Sequence, residues 1–365
     1  MGLSLLPVLA MAMTLAEPAQ IIPAMAWGSA IPLTASVAPV GTSQTQTGMP
    51  GPGNRPIVVA SVRRKVSPVA PSTADQDTTT RLQMFLDEHS FGSGKIAGRW
   101  SDFIEKALQR FQTANGQQPS GKIDPALQEE LQKISPVYTT YTVTQSDFHW
   151  VGEVPSKPAA KAKLKKMLYG SLLDFVAERY HADPDFLRKL NPGRNLNRLK
   201  EGDTVRVPNV PPFQIETIQE VPDLPRRPDF AQRTLKVDTK NRMLDLVDGN
   251  RIIVSFPITP GSKSLPAPLG SWKIVKVTTM PIFRWDQAML QHGRRSGEYH
   301  IIPPGPRNPV GIVWIGLSKK GIGVHGTDSP DTIGHSVSHG CIRLANWDAA
   351  RLVNQITVGM TAEIF

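Results

Sequence analysis

Only one cysteine, Cys341, occurs in the 365 residues, so no intramolecular disulfide can staple the fold. A solitary cysteine is either a small buried hydrophobe or a reactive group, and an exported chain keeps such a thiol against oxidation only for a reason. Long apolar runs are also lacking. The longest, Leu3 to Leu15, is interrupted by Pro7 and is shorter than the ~20 residues that cross a bilayer. No block of Lys and Arg has the density of a nucleic-acid arm. The nearest, Lys161 to Lys166, is short, so nucleic acid is not an expected partner. There is no second cysteine and so no C-x-x-C pair, which weakens a zinc centre without removing it.

What the chain does have is proline and glycine, 33 and 29 residues, in clusters that read as joints between compact units. Its net charge of +10 draws it toward polyanions, an acidic cell-wall polymer among them. Residues 1–29 read as a candidate signal segment, with Ala24-Met25-Ala26 as a cleavage site, although no Lys or Arg precedes the apolar run. Export to the periplasm or cell wall is the expectation. Residues 30–78 are rich in Pro, Ser, Thr and Gly and read as a disordered tether, because they cannot bury enough apolar surface to offset chain entropy.

From 79 to 135 the apolar residues recur at helical spacing: Leu82, Phe85 and Leu86; then Phe103, Ala107, Leu108 and Phe111; then Leu127 and Leu131. Turns at Gly92–Gly94 and Pro119-Ser120-Gly121 separate them, giving a three-helix bundle. Residues 138–210 read as a β-α-α-β unit, opening on Tyr141–Thr144 and closing on Thr204–Pro208. Residues 211–228 are Pro-rich and read as a semi-rigid linker. From 229 to 365 short alternating stretches between turns predict a mostly β domain, with a long insertion near 281–310 read as a lid or substrate loop. Only Trp347–Asn354 reads as helix late in the chain.

The chemistry concentrates in Gly323-Val324-His325-Gly326-Thr327 and Ser338-His339-Gly340-Cys341-Ile342-Arg343-Leu344. A thiol near its free pKa of ~8.5 is only slightly ionised at neutral pH, and an imidazole can take its proton. His325 and His339 are both candidates. Gly340 removes a side chain beside the thiol, which frees amide groups to face an oxyanion. Three other readings stay open on the residues alone: Cys341 as core at a strand end, His339 as a structural histidine, and zinc held among His325, His335, His339 and Cys341.

HGT followed by SHGCIRL resembles the signature of the YkuD-type L,D-transpeptidase catalytic domain. Pro268-Leu269-Gly270-Ser271-Trp272 and Gly305-Pro306-Arg307-Asn308-Pro309 resemble two further elements of that family. The resemblance implies a YkuD-like β-sandwich over 233–365, with Cys341 as nucleophile and His325 as general base oriented by the carbonyl of Gly326. It implies an oxyanion hole from the backbone of His339, Gly340 and Cys341, with Ser338 and His339 lining the site. Arg343 is implied to bind a stem-peptide carboxylate, its bland alternative being a structural salt bridge. Trp285 in the insertion is a further substrate-binding candidate. The helical segments RLQMFL and ALQRFQTANG resemble peptidoglycan-binding domain 1. YTVT, LLDFVAERY, DPDFLRKLNPG and LKEGDTVRVP resemble LysM glycan-binding modules, with an interruption at Lys157–Lys166.

The implied reaction forms 3→3 peptidoglycan cross-links through a Cys thioester, with no metal and no organic cofactor. The partners are stem peptides and glycan, acting on a monomer. Water as acceptor would make the enzyme an L,D-carboxypeptidase, and a lipoprotein amine would make it an anchoring enzyme. A non-catalytic wall-binding protein is the alternative of another class.

Overall fold

A computed structural model describes residues 75–262, 265–334 and 340–365. The candidate signal segment and nearly all of the tether lie outside these residues. So do His335, Ser338 and His339. Among the described residues no helix is long and apolar enough to cross a membrane.

Three helices come first: α1 (Gln76–Glu88), α2 (Asp102–Ala114) and α3 (Pro125–Lys133). Helix α1 starts inside the stretch read as tether, because Asp75 caps it by accepting from Thr78 N at 2.7 Å. On α2, Ile104, Ala107, Leu108 and Phe111 are buried on one stripe. Asp124 caps α3 and Pro125 opens it, as suits a residue with no amide hydrogen to leave unbonded. Leu82, Leu86, Phe91, Leu127 and Leu131 complete a separate small core.

The next unit runs β1 (Tyr138–Thr142), α4 (Pro158–Lys161), α5 (Leu172–Arg179), α6 (Pro184–Leu190) and β2 (Thr204–Pro208). Strands β1 and β2 pair antiparallel, Tyr138 opposite Pro208 and Thr142 opposite Thr204. Ser171 and Asp183 cap α5 and α6.

The last unit is mostly β: β3 (Thr234–Asp238), β4 (Met243–Asp248), β5 (Arg251–Pro257), β6 (Thr259–Pro260), β7 (Gly270–Thr279), β8 (Phe283–Trp285), α7 (Gln287–His292), β9 (His300–Ile302), β10 (Val313–Leu317), β11 (Gly323–His325), β12 (Ile342–Arg343), α8 (Asn346–Val353) and β13 (Thr361–Ile364). Nine strands form one sheet in the order β5-β4-β3-β13-β7-β10-β11-β12-β6. Strand β7 joins its halves. Gly270 to Lys273 pair with β13, and Ile274 to Thr279 pair with β10. A strand that changes partners midway serves both layers of a sandwich. Residues of both halves, such as Leu246 and Phe256 with Ile274 and Ile315, share one core.

The insertion carries the β8–β9 hairpin and a short helix that apolar spacing did not signal. The cue lay in its ends. Asp286 caps α7 by accepting from Met289 N at 3.1 Å, and Gly293 closes it in the left-handed region.

The units are not beads on a string. The Pro-rich stretch expected to space them lies against the sheet, because Phe213, Ile215 and Ile218 between its prolines are buried. Its Leu224 N–H donates to Val277 O at 2.9 Å, and Val221 bridges Thr279. Arg110 of α2 reaches Asp238 and Asp245. Arg307, in the loop before β10, is held by Asp174 and Glu178 of α5.

Candidate active site

Two adjacent parallel strands build the site. In β11 and β12, Val324 faces Ile342 and His325 faces Arg343. Partners in register share a face of the sheet, so the imidazole and the guanidinium emerge side by side. Cys341 immediately precedes β12, and the backbone of Gly323 bonds to its thiol. The thiol also lies 3.6 Å from Gly321 O. Gly340 has φ +95°, a conformation that favours glycine, and it turns the chain into the thiol.

His325, Cys341 and Arg343 line one pocket of ≈ 620 Å³, together with Trp285 and Arg284 from the insertion and Trp314 from β10. Phe283, Arg284 and Trp285 of the hairpin, in the insertion read as a lid or substrate loop, line one side of the pocket. Trp285 stands at the end of β8, its indole N–H donating to Gln287 Oε1 at 3.2 Å. Trp314, the cross-strand partner of His325, stacks on it with ring centroids 5.5 Å apart and planes at 22°. Trp314 carries no functional signal in the sequence, because an aromatic in an alternating strand reads as core.

The imidazole is buried, and its Nδ1 lies 2.6 Å from Gly326 O. That carbonyl can only accept, so Nδ1 carries the hydrogen and Nε2 keeps its lone pair. Burial, and then the charge of Arg343, push the imidazole pKa down to about 3, with the Gly326 carbonyl opposing. Burial pushes the Cys341 thiol up, against the Gly323 backbone and Arg343, which pull it down. At neutral pH the resting site therefore holds a neutral thiol and a neutral imidazole. Burial lowers the pKa of Arg343, while Asp328 and Cys341 raise it. Among the described residues its buried Nε finds no hydrogen-bond partner.

The glycine of the HGT element has a steric reason. A Cβ on Gly326 would overlap Oδ1 of Asn346 at the start of α8. Asn346 Oδ1 accepts from Thr327 N at 3.2 Å and from Ile312 N at 3.3 Å. Its Nδ2 donates to Glu178 Oε1 at 2.6 Å and to Pro306 O at 3.2 Å. Glu178 had a signal in the sequence, standing three residues after Phe175 on the apolar stripe of α5. Among the described residues no group of three or more His, Cys, Asp or Glu is arranged to hold a metal ion.

A buried imidazole with one nitrogen committed to a carbonyl, sharing a pocket with a thiol, defines a site for acyl transfer through sulfur. Comparison with known proteins makes the class specific. Residues 232–364 match the L,D-transpeptidase catalytic domain, and residues 75–131 match a putative peptidoglycan binding domain. The chain is 26% identical over 195 residues to a putative L,D-transpeptidase YkuD of Bacillus licheniformis, covering 53% of this chain and 94% of that protein. It is 25% identical over 192 residues to a probable L,D-transpeptidase YbiS of Escherichia coli K12, covering 51% of this chain and 58% of that one. A solved L,D-transpeptidase from Mycobacterium smegmatis aligns at 20% identity over 37% of this chain and 59% of that chain, with a TM-score of 0.30. The mostly β unit is a YkuD-type L,D-transpeptidase catalytic domain, and the protein is a cysteine-dependent acyltransferase that carries a peptidoglycan-binding domain.

Proposed function

We propose that this enzyme forms 3→3 cross-links between peptidoglycan stem peptides outside the cytoplasm. The observation that carries the reading is the single pocket containing Cys341 and an imidazole whose Nδ1 is committed to Gly326 O. Nε2 of His325 takes the thiol proton as Sγ attacks the carbonyl of the third stem residue. Amide groups of residues 339–341 receive the oxyanion, a role that suits the turn at Gly340. The tetrahedral adduct expels the terminal D-Ala, whose amine takes the proton from the imidazolium, and a thioester remains. A side-chain amine of a second stem then attacks the thioester. An amide forms, the C–S bond breaks, and the thiol is restored.

Arg343 meets a stem carboxylate in this scheme, since it lines the pocket that holds Cys341. Trp285 lies along the donor. The peptidoglycan-binding domain, with a LysM-like unit after it, keeps the enzyme on the polymer and raises the effective concentration of substrate.

The test is intact-mass analysis of products from purified protein and tetrapeptide muropeptides. A dimer joined through third residues, lost in C341S, is expected. Loss of D-Ala without a dimer would make water the acceptor. Transfer only to a lipoprotein amine would make this an anchoring enzyme. Acylated protein in C341S would remove the thiol from the mechanism.

A further inference from the structure

The sheet brings His325 and Cys341 together, but the orientation of His325 depends on one peptide group. The carbonyl of that peptide, Gly326 C=O, accepts from His325 Nδ1. The N–H of the same peptide belongs to Thr327 and donates to Asn346 Oδ1 at 3.2 Å. A peptide is planar, so fixing its N–H side fixes the direction of its carbonyl. The Asn346 amide is fixed in turn. Its oxygen faces two backbone N–H groups, and its nitrogen faces a carbonyl and the carboxylate of Glu178, so only one flip satisfies all of them.

Glu178 stands on α5, outside the catalytic domain. It is 2% exposed and Asn346 is 1% exposed. A second arm leaves the same carboxylate. Glu178 Oε2 lies 3.1 Å from Arg307 Nη1, and that nitrogen donates to Asp328 O at 2.9 Å. The two arms grip consecutive residues directly after Gly326, and both end on Glu178. Glu178, Asn346, Arg307 and Thr327 are all buried, so these contacts carry more weight than they would at the surface.

We propose that Glu178 is a positioning residue for the acyl-transfer reaction, setting the direction of the Gly326 carbonyl, and through it the tautomer and aim of His325, by way of Asn346. The unit between the peptidoglycan-binding domain and the catalytic domain is then part of the active-site scaffold. This rests on His325 acting as the base for Cys341.

The experiment follows acylation of Cys341 in the full-length protein by a carbapenem, read by intact mass between pH 5 and pH 10, with denaturant unfolding of every variant. General-base assistance is worth at least about 100-fold, so partial misalignment in E178L or N346A should slow acylation near pH 7 by about 10-fold. As pH rises toward 10 the thiolate forms increasingly without a base, so the loss in these variants should shrink toward the wild-type rate. N346D removes the N–H donor that faces Glu178 and Pro306 O and should slow the reaction at neutral pH. E178Q/N346D reverses donor and acceptor, because the amide introduced at 178 donates to the carboxylate introduced at 346, and it should recover most of the rate lost in N346D.

Neutral-pH rates unchanged in E178L and N346A would overturn the proposal. So would an equal loss at every pH, which marks general damage. Should E178L or N346A fail to fold, the comparison of N346D with E178Q/N346D decides, and absence of recovery overturns the proposal. H325A separates the two readings. A normal neutral-pH rate in H325A sinks the assignment of the base and this proposal with it, whereas loss in H325A with normal rates in E178L and N346A removes only the relay from Glu178.

Discussion

Asp87, in the last turn of α1, receives both terminal nitrogens of Arg351 on α8, each at 2.7 Å. The residues are 264 positions apart and both are buried. His181, between the two middle helices, adds its Nδ1 to the same carboxylate at 3.0 Å and stacks on Trp347. One carboxylate therefore ties together the peptidoglycan-binding domain, the middle unit and the catalytic domain. The surrounding charges of Arg351 and His181 hold its pKa far below the usual carboxylate range despite burial, which acts the other way.

Removing that carboxylate leaves a buried guanidinium without its main counter-charge. Breaking a buried ion pair from one side costs about 3–5 kcal/mol. D87A should therefore lower the unfolding free energy by that amount in denaturant titrations at neutral pH. An effect below about 1 kcal/mol, the size of a surface pair, would show that the latch contributes little.

The neutral thiol–imidazole pair has a kinetic signature. Alkylation by iodoacetamide needs thiolate, and burial holds the Cys341 thiol above its ordinary value. The alkylation rate should climb steadily through pH 8 and beyond, with no plateau between pH 6 and pH 8. A plateau in that interval would indicate a preformed thiolate–imidazolium pair.

Acid should destabilise the fold partly through His325. Its folded pKa, about 3, lies below the ordinary 6.5, so the unfolded chain binds the proton more readily. The native state is then penalised as pH falls from about 6.5 toward 3, and the penalty is absent above that window. H325Q removes the titration. Between pH 6.5 and pH 4.5 it should lose about 2 kcal/mol less stability than wild type, from 1.36 kcal/mol per pH unit. Parallel stability curves for the two proteins would mean that His325 titrates normally in the fold. His181, also buried and lowered, is present in both proteins and cancels in the difference.

The sequence by itself pointed to the reaction class through the resemblance of HGT and SHGCIRL to the YkuD-type signature, because on the residues alone Cys341 could also be core or a zinc ligand. It also settled the helical character of α1 to α3 and the strand texture after 229, since apolar periodicity is a local property. The register that sets His325 opposite Arg343, the stacking of Trp314 on His325 and the course of the Pro-rich segment were decided by tertiary structure. The sharpest case is Glu178. Its spacing after Phe175 marks a buried face, but its partners Asn346 and Arg307 are more than a hundred residues away. A buried carboxylate takes its meaning from the groups that neutralise it and bond to it, and those are assembled only when α5, the loop before β10 and α8 fold against one another.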